Sequence, residues 1–206
     1  MQYVAHLKKD PKLAAIIREP YHELKLVKNI PLHLIASIMS QQLNTKVADI
    51  IYARFLALYG KKPPTTQQIL DTPFDTLRSI GLSNAKVNYV HNVARFCIEH
   101  NITDKKLLAM NDEEILALLM QIKGVGKWTV EMLLMFSLGR EDIYAVDDLG
   151  LQNAVIGIYN LKIKDKKKLR QKILKISGAW SPYRTYACLH LWRWKDNPPP
   201  VAEGIV

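Results

Sequence analysis

The stretch LMQIKGVGKWT (Leu119–Thr129) decides the fold. An apolar helical run ends at Ile122, and a new helix begins near Lys127. Gly124 and Gly126 let the chain turn tightly with positive backbone φ and let another molecule approach closely. The first N–H groups of the second helix lack intrahelical acceptors and lie at the positive end of the helix dipole. Such a hairpin can hold one phosphate with main-chain amides, which reads nucleic-acid backbone and not base sequence. An ordinary αα-hairpin with glycines at its turn has the same spelling, so the motif needs support from elsewhere.

Outward from the hairpin the chain reads as helix almost throughout. Asp10-Pro11 is an N-cap followed by proline at the first helical position. Pro31 opens a helix through LHLIASIMSQQ, and Asn44 or Thr45 starts the next. There Val47, Ile50, Ile51, Phe55 and Leu58 fall on one face, with Gly60 as the stop. KKPPTT reads as a loop, and Thr72-Pro73 starts a short helix ending at Gly81. Ser83 caps a helix with an apolar stripe of Val87, Val90, Ala94, Cys97 and Ile98. Asn111 and Glu114 have the spacing of a capping box before the helix DEEILALLMQI. WTVEMLLMFSL stops before Gly139. Further helices are expected near 149–158, 166–177 and 182–193, and the tail NPPPVAEGIV reads as extended. Period-2 alternation is scarce, so the fold class is all-α.

The 206 residues are 49% hydrophobic and 23% charged, an ordinary globular composition. Lys and Arg number 29 against 19 acids, a formal charge of +10, which favours a polyanionic partner, nucleic acid first. No apolar run approaches the ~18 residues of a spanning helix. The start MQYVAHLKKDPK has no signal-peptide core, so an intracellular location is expected, cytoplasm or nucleoid, or nucleus in a eukaryote. Two cysteines, Cys97 and Cys188, exclude a four-cysteine zinc or iron–sulfur site built by this chain alone. The six histidines show no metal spacing, so no catalytic metal is assigned.

Downstream of the hairpin, YAVDDLGL (Tyr144–Leu151) places two adjacent carboxylates where a helix begins. One can cap the helix while the other points at a substrate; an isolated Asp there is usually only a cap.

GVGKWT, an apolar helix and then VDDLGLQNAV, in this order, resemble the helix–hairpin–helix (HhH-GPD) superfamily of DNA base-excision glycosylases. The resemblance is greatest to the 3-methyladenine DNA glycosylase II branch. SIMSQQLNTKVADIIYARF, LRSIGLSNAKVNYV and WSPYRTYACLHLWRW agree with it, so the likeness spans roughly residues 30–194. It implies two helical lobes flanking a DNA-binding cleft, in a compact form without an N-terminal β domain. The whole chain would be one glycosylase unit. A central lobe of about 30–130 would end in the hairpin, and 1–29 plus about 131–206 would form the second lobe.

The resemblance implies base-excision repair: hydrolysis of the N-glycosidic bond of alkylated purines, 3-methyladenine and 7-methylguanine, by base flipping. It assigns the catalytic aspartate to Asp148, with Asp147 structural. Bifunctional relatives carry a Schiff-base lysine directly before the Thr; here Trp128 stands there, so a monofunctional enzyme without lyase activity is expected. Trp192, Trp128 and Met132 match base-pocket positions, whereas Trp180, Trp194 and Tyr183 read as core. Gly124, Gly126, Lys127 and Thr129 at the hairpin and Ser83 and Lys86 at the second junction are the candidate DNA contacts, Lys127 and Lys86 because each begins a helix next to a junction. Gln42, with Leu43 beside it, matches the wedge that fills the gap left by a flipped base; otherwise Gln41 and Gln42 merely end a helix. Such hairpins can also hold Na+ or K+ on backbone carbonyls near Ile122 and Gly124; no other cofactor is implied.

The basic run KIKDKKKLRQK (Lys162–Lys172) reads as a solvated helix face that can widen a phosphate footprint. The expected partner is double-stranded DNA containing alkylated bases, with no membrane, bound by a monomer. Three other readings share these residues. One is a glycosylase for oxidised or mismatched bases, the second a non-catalytic helix–hairpin–helix DNA-binding module, the third a basic helical protein that binds RNA.

Overall fold

The described residues, 1–60 and 62–197 of a computed structural model, form α-helices joined by turns, with no strand among them. The expected extended tail from Pro198 on lies outside the described residues. The chain divides into two units, Lys25–Gly139 and Met1–Leu24 together with the chain from Arg140 on. Sequence placed these edges near 30 and 130. An edge at 130 would cut a helix, whereas Gly139 follows that helix in a left-handed conformation (φ 65°).

The Lys25–Gly139 unit holds eight of the helices described: α3 (Ile30–Ser40), α4 (Thr45–Ala57), α5 (Thr66–Asp71), α6 (Phe74–Ser79), α7 (Asn84–Glu99), α8 (Asp104–Leu108), α9 (Asp112–Leu119) and α10 (Lys127–Phe136). α3 is its axis, packing on α4, α7 and α10. Seven of its residues are buried, from Ile30 and Pro31 to Ile38 and Met39, as in a helix that is apolar nearly all round. Its start is fixed by Asp104, whose carboxylate accepts from the Asn29 and Ile30 amides at 2.7 and 2.8 Å. α7 buries Val87, Val90, Val93, Ala94 and Cys97 against α3, α5 and α6, while Ile98 at the stripe's edge is exposed.

α4 departs from the sequence reading. Ile51 and Phe55 are buried, but Val47, Ile50 and Leu58 are exposed. Its apolar positions span a wider arc than the contact with α3 covers. The expected loop 61–66 runs into α5, started by a Thr65/Gln68 capping box that the sequence reading passed over. α9 ends at Leu119, three residues before Ile122; Met120–Ile122 form a turn instead.

The other unit comprises α1 (Gln2–Leu7), α2 (Pro11–Ala14), α11 (Leu149–Tyr159), α12 (Lys166–Gly178) and α13 (Arg184–Asp196). α11 packs on α13 and α2. Its core includes Leu7, Leu13, Leu151, Val155, Ile173, Trp180 and Leu191. Trp180 is fully buried, as the sequence reading expected, and donates to Asp10 Oδ2 at 3.0 Å. Asp10 caps α2 with its other oxygen. Burial pushes the Asp10 pKa up, but hydrogen bonds from Tyr159, Trp180 and two backbone amides outweigh it and hold the carboxyl below its usual range. α1, α5 and α8, of six, six and five residues, are too short for periodicity to reveal.

Candidate active site

Asp148 ends a segment held from both sides. Thr185, buried in the first turn of α13, donates to Arg140 O at 2.6 Å and accepts from Ile143 N at 3.0 Å. Arg184 clasps Asp142 through two hydrogen bonds, of 2.7 and 3.0 Å. Gln152 reaches back from α11 to Val146 O at 2.8 Å. The chain thus enters α11 at a fixed angle, with Asp148 as N-cap.

The Asp148 Oδ1 atom accepts from Leu151 N at 2.8 Å and from Trp192 Nε1 at 3.1 Å. One aspartate therefore both caps the helix and presents a carboxylate oriented by an indole on α13. Gly150 leaves room for this: a Cβ there would lie 3.0 Å from Asp148 Oδ1 and 3.4 Å from Trp192. Asp147 points elsewhere, to Arg170 of α12 at 2.8 Å. Leu149, next in the chain, is 70% exposed.

In the other unit three short motifs converge. The Gln41 amide donates to Thr129 Oγ1 at 3.0 Å and to Gly124 O at 3.3 Å. The Lys86 ammonium donates to Gln41 O at 2.6 Å and to Met39 O at 2.9 Å. The SQQLN junction is thereby fastened both to the second junction and to the hairpin. Gln42 is exposed at φ 59°, whereas the other three non-glycine residues with positive φ among the described residues are asparagines, which tolerate this region better.

The two hairpin glycines differ. Gly124 sits at φ 105°, and a Cβ on it would lie 2.3 Å from the Tyr89 ring. Gly126, for which positive φ was expected, is extended at φ −96°, with nothing within 4 Å of a Cβ. It stands at the head of α10, which no side chain caps. The turn needs only one left-handed residue; the second glycine leaves the helix head uncovered.

Several nominated DNA contacts are committed within the protein. Thr129 is buried and accepts from Gln41, so its hydroxyl serves the fold. The Lys86 ammonium closes the carbonyl end of α3, and burial lowers its pKa. Ser83 caps α7 through Lys86 N at 3.3 Å. Lys127 lies 2.6 Å from buried Glu131. Trp128 is 42% exposed, which excludes core packing for it. Met132 lines a groove of about 260 Å³ with His33, Ser37, Asp49, Tyr52 and Phe136. Leu43 is half-buried. Trp192 is half-buried; its hydrogen bond to Asp148 is a role sequence did not suggest. Gln41, Tyr89 and Gly150 were also missed as site residues, because their work depends on neighbours distant in sequence or on a missing side chain.

The carbonyls of Ile122 and Gly124 accept from Val125 N at 3.0 Å and Gln41 Nε2 at 3.3 Å. Each keeps a second lone pair with which it could hold a monovalent cation. No group of three or more His, Cys, Asp or Glu side chains that could hold a metal occurs among the described residues. No helix among them is long and apolar enough to cross a membrane.

DNA-3-methyladenine glycosylase 1 of Schizosaccharomyces pombe is 35% identical over 178 residues, covering 85% of this chain and 72% of the relative. A DNA-3-methyladenine glycosylase of Bacillus subtilis, itself assigned provisionally, is 35% identical over 162 residues, and the match spans only 55% of its length. The structure of the S. pombe 3-methyladenine DNA glycosylase in complex with abasic DNA superposes with a TM-score of 0.83 at 30% identity. That match covers 95% of this chain and 97% of the other. Residues 35–178 match the HhH-GPD superfamily of base excision DNA repair proteins, from α3 through the hairpin and Asp148 to the end of α12, and the chain belongs to that family.

Proposed function

We propose that the protein is a monofunctional DNA glycosylase that releases alkylated purines, 3-methyladenine and 7-methylguanine, from duplex DNA as a monomer inside the cell. The observation that carries this reading is Asp148, held at the head of α11 with Oδ1 bonded to both Leu151 N and Trp192 Nε1. A fixed carboxylate is suited to stabilising the oxocarbenium-like sugar that forms as a base departs. The C1′–N bond breaks and its electron pair stays with the base. A base made cationic by alkylation becomes neutral as it leaves, so no general acid is required. Water adds its oxygen to C1′ and gives up a proton, with the Asp148 carboxylate as acceptor.

The hairpin grips the strand in this reading. Uncapped α10 offers its first amides to a phosphate, and Gly126 lets the phosphate approach. Exposed Trp128 supplies a π face for a flipped cationic base, with Met132 of the same helix as a further base contact. Gln42, exposed at a strained junction, is the wedge, with Leu43 beside it. Water performs the attack because Trp128 occupies the Schiff-base position and neighbouring Lys127 is paired with Glu131.

The test is incubation with methylated duplex DNA, for wild type and Asp148→Asn. Released bases are quantified, and strand breaks are scored before and after alkali. Wild type should release methylpurines, with breaks only after alkali, and the variant should release none while still binding duplex. Full activity of Asp148→Asn sinks the assignment. Release of oxidised or mismatched bases alone supports a glycosylase for those lesions, and DNA binding without release of any base supports the binding module.

A further inference from the structure

Helix α12 carries six basic residues in thirteen, all exposed: Lys166, Lys167, Lys168, Arg170, Lys172 and Lys175. It is seated by Ile173 and Ser177, with Leu169 and Ile176 half-buried. At about 100° per residue Lys167 and Arg170 lie on one flank of that seat and Lys168, Lys172 and Lys175 on the other; Lys166, in line with the seat but two turns before Ile173, adjoins Lys167 and Arg170 in the exposed first turn.

The flanks differ in what they adjoin. Arg170 meets Asp147 in a two-pronged pair, Nε–Oδ1 at 2.8 Å and Nη2–Oδ2 at 3.3 Å. Asp147 is the residue next to Asp148. The first flank is thereby tied beside the carboxylate that faces a deoxyribose, and each deoxyribose within a strand is bracketed by two phosphates. The opposite flank has no such tie.

Local physics gives no reason for these lysines. Lys166, Lys167 and Lys168 occupy the first turn of α12, at the positive end of its dipole, where cations destabilise. Among the described residues, neither Lys166 nor Lys167 forms a salt bridge with a carboxylate. A charge arrangement that costs stability and is not compensated among the described residues is suited to an external polyanion.

We propose that the Lys166–Lys167 flank of α12 is a second DNA-backbone contact, holding phosphate beside the target nucleotide in duplex DNA. It rests on the reading of Asp148 as the carboxylate that faces the sugar. Counterion release makes the proposal measurable, because each phosphate contact adds about 0.9 to the slope of log K against log salt.

Binding of the full-length chain to an unmodified duplex is measured across a salt series. Wild type is compared with Lys166→Gln/Lys167→Gln and with Lys172→Gln/Lys175→Gln. Both doubles remove the same net charge and replace lysine with another good helix former, so long-range attraction falls equally. The first double should flatten the slope by up to about 1.8 more than the second, if both lysines lose a phosphate. Equal slopes for the two doubles, or a larger change in the second, overturn the proposal. Thermal unfolding of each variant shows that the helix is retained. Base release is a separate readout: a wild type that releases no methylpurine defeats the proposed function, whereas the difference in slope tests the contact alone.

Discussion

The two helix heads to which the proposed function assigns binding and catalysis are built in opposite ways. α10 begins at Gly126, has no side-chain cap, and is followed by Lys127. α11 begins at Asp148, whose own carboxylate satisfies Leu151 N. Both expose an apolar residue in the first turn, Trp128 at 42% and Leu149 at 70%. The first head has no side-chain acceptor of its own for its backbone donors. The second supplies an anion of its own and keeps it in place. In the proposed function the same local electrostatics, a positive helix end, serves binding at one head and positioning of a reacting carboxylate at the other.

The sharpest way to break this contrast is at Asp148 itself. Asp148→Asn should cost at least about 10²-fold in single-turnover base release, the scale set by losing one preorganised electrostatic group. Its thermal stability should barely change, because Asn is as good an N-cap as Asp. Asp148→Ala should lose as much activity and in addition about 1 kcal/mol of stability by denaturant unfolding. If the two variants unfold alike, the carboxylate does not cap α11 in solution.

At the other head the two glycines should separate fold from binding. Gly124→Ala places a methyl into the Tyr89 ring at a φ that L residues rarely adopt, so about 3 kcal/mol of stability should be lost. Gly126→Ala meets nothing, and its extended φ suits any residue. It should unfold like wild type yet bind duplex DNA several-fold more weakly. Equal affinity would mean that no phosphate approaches Gly126.

The units should also respond differently to acid. His190, on the helix that carries Trp192, is 1% exposed, and neither ring nitrogen has a hydrogen-bond partner among the described residues. Burial and the nearby Arg193 charge pull its pKa down to about 4. The folded state holds it neutral while the unfolded chain takes up a proton below about pH 6.5. Its contribution is therefore complete above that pH and is lost as the pH falls toward 4, by on the order of 3 kcal/mol. Denaturant unfolding at pH 7 and pH 5 should show about 2 kcal/mol of this loss in wild type and a smaller change in His190→Gln. An identical pH dependence would show that His190 is not the group responsible.

How much of this was legible depends on the range of the interactions. Asp148, the hairpin and the caps at Asp10, Ser83 and Asn111 were readable because each signal lies within a few residues of its effect. The separate fates of Gly124 and Gly126 were not, since one answers to Tyr89, thirty-five residues earlier in the chain. Lys86 looked like a phosphate ligand because it opens a helix next to a junction; its ammonium instead closes α3, forty-five residues before it at Gln41. On α4 the periodic stripe was correct as a pattern but wider than the surface that covers it, which depends on how α3 packs. Trp192 was readable as an aromatic at a family position, but its bond to Asp148 needs α11 and α13 packed side by side.

The smallest expected effect tests how tightly the second head is held. Gly150→Ala adds one methyl in the first turn of α11, where alanine is by itself the better helix former, by about 1 kcal/mol. The new Cβ would stand 3.0 Å from Asp148 Oδ1 and 3.4 Å from Trp192 Cδ1, inside the usual contact distance for the carboxylate. The two effects oppose each other in stability but act on different quantities. Unfolding should therefore shift little, while the carboxylate moves by a few tenths of an ångström and single-turnover base release slows about tenfold, as positioning errors do. Affinity for duplex DNA should stay at the wild-type level, since the hairpin is untouched. Unchanged base release would mean that Asp148 tolerates displacement, and that the indole and the helix head fix the fold and not the reaction.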